Sequence, residues 1–90
     1  MDARARVARN VRRLRVAAGL SQEAFAVDAG LDRTYISRIE RTLENPTVMA
    51  LEKIARALGV DIVEVVADVP AGRAKPPTLP PGRKPRSKGR

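Results

Sequence analysis

Between Arg33 and Arg41 the chain carries a row of hydrogen-bond donors at helical spacing: Arg33, Thr34, Ser37, Arg38 and Arg41. On a helix, steps of about 100° per residue put Ile36 and Ile39 on one side and Thr34, Ser37, Arg38 and Arg41 on the other. Arg33 stands at the side of the first turn. An arginine fork can span O6 and N7 of guanine, while hydroxyls and further arginines reach phosphate oxygens. On an isolated helix the same residues would be an ordinary solvated face, so their meaning rests on their surroundings. Other chemistry is closed off. The chain has no Cys and no His, which removes disulfides, thiolate or imidazole metal sites and histidine acid–base catalysis. No nucleophile–base pair, phosphate loop or metal constellation stands in the sequence, so neither a cofactor nor an enzymatic activity is expected. Phe25 and Tyr35 are the only aromatic residues, too few for a stacking platform for single strands or RNA.

Those donors need elements to hold them, and the apolar periodicity predicts helices throughout. Val7, Val11, Leu14 and Ala18 recur at i, i+4, i+7 and i+11, on one face of a first helix over about residues 2–18. Gly19 stops it. Ser21 is an N-cap for a second helix, with Glu23 favourable to the dipole in its first turn. That helix turns Phe25, Ala26 and Ala29 inward and stops at Gly30. Asp32 caps a third, about 33–41. After a loop over 42–46, Thr47 caps a fourth, whose stripe is Val48, Leu51, Ile54 and Leu58, closed by Gly59. Asp61 with Glu64 is a capping-box signature for a short last helix, about 62–67. Its β-branched Ile62, Val63, Val65 and Val66 make a strand the rival reading, but no second strand exists to pair with it. Four apolar side chains on so short a segment exceed what closing one core requires. Ile62, Val65 and Val66 are therefore assigned to contact with a second copy of the chain. The expected fold is all-α, a compact five-helix bundle containing a helix-turn-helix.

Within the 20 residues from Gln22 to Arg41, the fifth is Ala26, the ninth Gly30 and the fifteenth Ile36. Ala26 must be small because the third helix crosses close above it. Gly30 permits the left-handed backbone of a sharp turn. Ile36 anchors the third helix on the core. The sequence resembles the Cro/repressor (Xre) family of helix-turn-helix regulators over roughly residues 4–67. The matching residues are Leu14-Arg15, Gly19 to Glu23, Ala26, Gly30-Leu31, Tyr35 to Arg41, Asn45-Pro46-Thr47, Leu51 to Ala55 and Ala57 to Val60. The resemblance implies a third helix lying in the major groove of double-stranded DNA, with Gln22, Arg33, Thr34 and Arg38 as the positions to watch. Gln22, at a helix N-terminus, suits a phosphate. Tyr35 is assigned to packing or a phosphate contact. Arg15 and Glu40 each lie about 70° from the centre of their helix's apolar stripe, and the family pattern implies that they pair. One departure is Thr42, where the family usually has Gly. Thr tolerates a left-handed cap poorly, so a differently shaped helix end is expected.

Net charge is +8, unevenly spread. Residues 70–90 hold seven basic side chains, six prolines, three glycines and no acid, leaving +1 for residues 1–69. The first stretch reads as the DNA-binding domain. The second cannot bury enough apolar surface to offset its ordering entropy and reads as a disordered basic tail. Six arginines between Arg4 and Arg15 face one acid, Asp2, a polarisation that suits a polyanion. No stretch approaches the roughly 20 apolar residues of a membrane span, and residues 1–15 lack the apolar core of a secretory signal. A cytoplasmic, nucleoid-associated protein is expected. The leading expectation is a homodimeric, sequence-specific regulator on a palindromic operator. The alternative is an antitoxin-type module that binds a partner protein through its tail and regulates its own operon.

Overall fold

A computed structural model describes residues 2–68 of the chain. They are all-α, in the order α1 (Ala3–Ala17), α2 (Gln22–Ala29), α3 (Arg33–Glu40), α4 (Val48–Leu58) and α5 (Ile62–Val66). The second segment of the sequence, 70–90, lies outside the described residues.

Each helix begins at a side chain that can accept from free backbone N–H groups. Asp2 accepts from Ala5 N, Ser21 from Ala24 N, Asp32 from Thr34 N, Thr47 from Ala50 N and Asp61 from Val63 N, all at 2.7–3.0 Å. The Ala5 N–H, helped by Arg4, holds the Asp2 carboxyl below its usual range. At α5 the expected capping box is not formed. Asp61 bonds the second helical N–H, and Glu64 meets Asp61 through a backbone N–H at 2.9 Å rather than through its carboxylate.

Four helices end in one pattern, in which a residue at positive φ and the apolar residue after it donate back to the last turn. The donors are Gly19 and Leu20, Gly30 and Leu31, Thr42 and Leu43, and Gly59 and Val60. Thr42 adopts φ 61°, so this end closes as the three glycine ends do, correcting the expectation of a differently shaped end. A β-branched residue is strained there, and two hydrogen bonds compensate: Leu43 N to Arg38 O at 2.8 Å and Thr42 N to Ile39 O at 3.0 Å.

The core joins Val7 and Val11 of α1, Phe25 and Ala26 of α2, Ile36 and Ile39 of α3, Ile54 and Ala55 of α4, and Val65 of α5. Burying such side chains contributes roughly 1.5–3 kcal/mol for each large one. Three residues of the expected stripes lie outside it, Leu14, half-buried on α1, among them. Val48, in the first turn of α4, is 75% exposed while Ala50 and Ala55 are buried, and Ala18 is exposed at the α1 C-cap. The buried residues of α4 are Ala50, Ile54 and Ala55, so its buried face centres on Ile54 rather than following the largest side chains. α1 packs on α3, α4 and α5, and α2 on α3 and α4.

Candidate DNA interface

α3 sits with Ile36 and Ile39 in the core and its opposite face outward. Arg33, Thr34 and Arg38 are exposed, Ser37 is half-buried, and Arg41 is exposed as the C-cap rather than the last helical residue. Tyr35 is half-buried and packs against the core. Gly30, at φ 69°, makes the turn that carries the chain from α2 into α3, and an added side chain there would be strained although open space surrounds it. Ala26 is buried, and Leu31 N closes the turn onto its carbonyl at 2.9 Å.

Behind this face lies a polar network. Arg15 Nε donates to Glu40 Oε2 at 2.6 Å and Nη2 to Oε1 at 3.0 Å, a two-point contact between α1 and α3. Nη1 of the same arginine donates to the Leu20 carbonyl at 2.7 Å. Gln22 Nε2 adds a bond to Glu40 Oε1 at 3.1 Å. One amide proton of Gln22, expected to face a phosphate, is thus committed to holding Glu40. The lone pairs of a nearly buried carboxylate are met from α1 and α2 together, which fixes the azimuth of α3.

Arg38 is also tethered. Its Nε donates to Glu44 Oε1 at 3.0 Å and its Nη2 to the Leu43 carbonyl at 2.8 Å. Arg33 and Arg41 have no carboxylate within ion-pair distance among the described residues. The outward arginines therefore divide into one oriented guanidinium and two unconstrained ones.

Sequence reasoning missed Asn10. It is buried at 1% exposure and donates to the carbonyls of Val65 at 2.8 Å and Ala67 at 2.7 Å, tying α5 to α1. An Asn three residues after Val7 and one before Val11 was the available signal. The assignment of Val65 to a dimer contact is corrected: its side chain is fully buried in the single chain. Ile62 and Val66 are half-buried against the core, and the exposed apolar residue of α5 is Val63.

Comparison with known proteins bears on this arrangement. A family model described as Helix-turn-helix matches residues 11–65. An uncharacterized HTH-type transcriptional regulator of Sinorhizobium fredii is 46% identical over 66 residues, covering 73% of this chain and 86% of that protein. The crystal structure of a hypothetical transcription factor from Neisseria, NHTF, superposes with a TM-score of 0.70 at 46% identity, over 72% of this chain and 75% of that one. The restriction–modification controller protein C.Esp1396I, solved on a 19-base-pair DNA duplex, matches with a TM-score of 0.67 at 37% identity, over 72% of this chain and 87% of that one. The chain belongs to the helix-turn-helix family, among transcriptional regulators of the Cro/repressor (Xre) type.

Proposed function

We propose that the protein is a sequence-specific regulator that binds double-stranded DNA as a two-fold homodimer, with α3 of each copy in the major groove. The observation that carries this reading is an exposed row of donors on a helix whose rear is clamped by Arg15, Gln22 and Glu40. A reading helix must hold its azimuth, because misplacing its side chains would lose the bidentate geometry that discriminates bases. Arg33, Thr34, Ser37 and Arg38 face base edges. Arg41 and the Tyr35 hydroxyl meet the backbone, as does the start of α2, where the free N–H groups around Gln22 suit a phosphate.

The second copy docks on α4 and α5. Val48 is 75% exposed and Val63 60% exposed. Val48, Ala55, Val60 and Ile62, with Glu52 and Arg56, line a concave surface of about 500 Å³. Exposed apolar side chains favour contact with a second copy, and a two-fold dimer of helix-turn-helix domains meets half-sites about 34 Å apart. Selection of bound duplexes from a random pool tests the whole reading. The expected outcome is a near-palindromic site with half-sites one turn apart. Enrichment of an asymmetric single half-site, or of none, would overturn it. Val48→Asp combined with Val63→Asp should give soluble monomers by sedimentation, with operator affinity sharply reduced.

A further inference from the structure

We propose that Glu44 is a specificity-determining positioning residue, which holds Arg38 in the orientation needed to read a base. This rests on the reading of Arg38 as a base contact. A guanidinium presents two forks. One is formed by Nε–H and the nearer Nη2–H, the other by Nη1–H and the outer Nη2–H. The structure engages the Nε side of the group, with Nε on Glu44 Oε1 at 3.0 Å and Nη2 on the Leu43 carbonyl at 2.8 Å. Nη1 has no partner among the described residues, and Nη2, with two protons and one bond, keeps one to give. Those donors can span guanine O6 and N7.

Leu43 and Glu44 reach Arg38 because of how α3 ends. Thr42 turns left-handed at φ 61°, Leu43 N closes onto Arg38 O at 2.8 Å, and the chain doubles back beside the side chain of Arg38. Arg38 is thus held through its backbone and its guanidinium by one loop. The Arg38 side chain remains 47% exposed and that of Glu44 29%, so the tether orients the group without burying it. A flexible arginine loses rotamer freedom on binding; a tethered one has lost part of it already. The Glu44 carboxylate has a second effect of opposite sign, since a negative charge near DNA phosphates weakens binding to every sequence alike.

These two effects separate experimentally. Affinity is measured for every single-base variant of the selected operator with Glu44→Ala, Glu44→Gln and Arg38→Ala, folding being checked by circular dichroism. Glu44→Gln keeps an acceptor for Nε and removes the charge. The expected result is that Glu44→Ala flattens preference about fivefold or more at one base position per half-site, the same position that Arg38→Ala flattens. Glu44→Gln should keep the profile sharp while tightening binding to all duplexes. The Arg38 Nε–H should be slowed in exchange with water in the free wild type and in Glu44→Gln, and fast in Glu44→Ala. A Glu44→Ala profile as sharp as wild type, with every duplex bound more tightly by one factor, would leave only the charge effect and overturn the proposal. Flattening by both Glu44 variants would refute it as stated, because the charge rather than an acceptor would then set the preference. If Arg38→Ala itself leaves the profile intact, the base-reading assignment of Arg38 fails, independently of Glu44.

Discussion

α3 carries two arginine–glutamate pairs, one on each side, and they differ in the donors left over. Behind the helix, Arg15 spends Nε and Nη2 on Glu40 and Nη1 on the Leu20 carbonyl, with side-chain exposures of 10% and 3%. In front, Arg38 uses the same Nε and Nη2 edge, divided between Glu44 and the Leu43 carbonyl, and keeps its Nη1 end unpartnered among the described residues. Water competes little for the rear pair and freely for the front one. The same chemistry therefore yields a structural fixture in one place and an oriented guanidinium with donors to spare in the other. Buried charge must be satisfied completely, whereas a recognition group must retain an unsatisfied edge.

The largest break in that comparison is Glu40→Ala. It leaves Arg15 as an uncompensated, nearly buried charge and frees Gln22, and should cost about 3–5 kcal/mol. Domains of this size have roughly 0.05–0.15 kcal/mol of stability per residue, so urea unfolding should show a large part of it gone. A midpoint near that of wild type would reduce the rear pair to an ornament of the fold. Next is Asn10→Ala, which strands the carbonyls of Val65 and Ala67 and should cost about 1–3 kcal/mol in the same assay. Thr42→Gly should act in the opposite direction. Relieving a β-branched residue at positive φ is expected to raise stability by about 1 kcal/mol, visible as a higher melting temperature. The smallest effect belongs to Glu44→Ala, whose partly exposed pair contributes at most about 1 kcal/mol to folding. If Glu44→Ala destabilised as much as Glu40→Ala, the contrast between the two sides of α3 would be lost.

Much of this arrangement is legible in the sequence, and the rest fails for identifiable reasons. Ser21, Asp32, Thr47 and Asp61 announce their helices because capping is local: one side chain, one or two nearby N–H groups. Gly30 marks its turn, and Ile36 with Ile39 marks the inner face of α3, which defines the outer face by subtraction. Periodicity identifies a face without naming what covers it. Val65 reads as surplus on a short helix, yet it completes the core because α1 and α4 both pack on α5. Val48 reads as the first residue of a stripe but stands 75% exposed in the first turn of α4, outside the core. Asn10 looks like a polar residue at a stripe's edge, because the two carbonyls it meets are 55 and 57 residues away. Thr42 shows that a left-handed cap can be imposed by its flanking hydrogen bonds against residue preference. The tether of Arg38 depends on that turn, so spacing alone could place the arginine outward but could not reveal which of its edges is free.

The central claim is that the outward face of α3, with Arg38 at its middle, reads bases. It is tested most directly by operator affinity of wild type, Arg38→Ala and Arg38→Lys for every single-base variant, at two salt concentrations. The account predicts that Arg38→Ala weakens binding to the preferred site by about 5- to 150-fold per contact and flattens one base position in each half-site. Lys should restore part of the affinity without the base preference, since an ammonium lacks the planar fork. Uniform weakening across all variants, with the salt slope reduced by about one unit per lost phosphate contact and the profile intact, would make Arg38 a backbone contact and contradict the account.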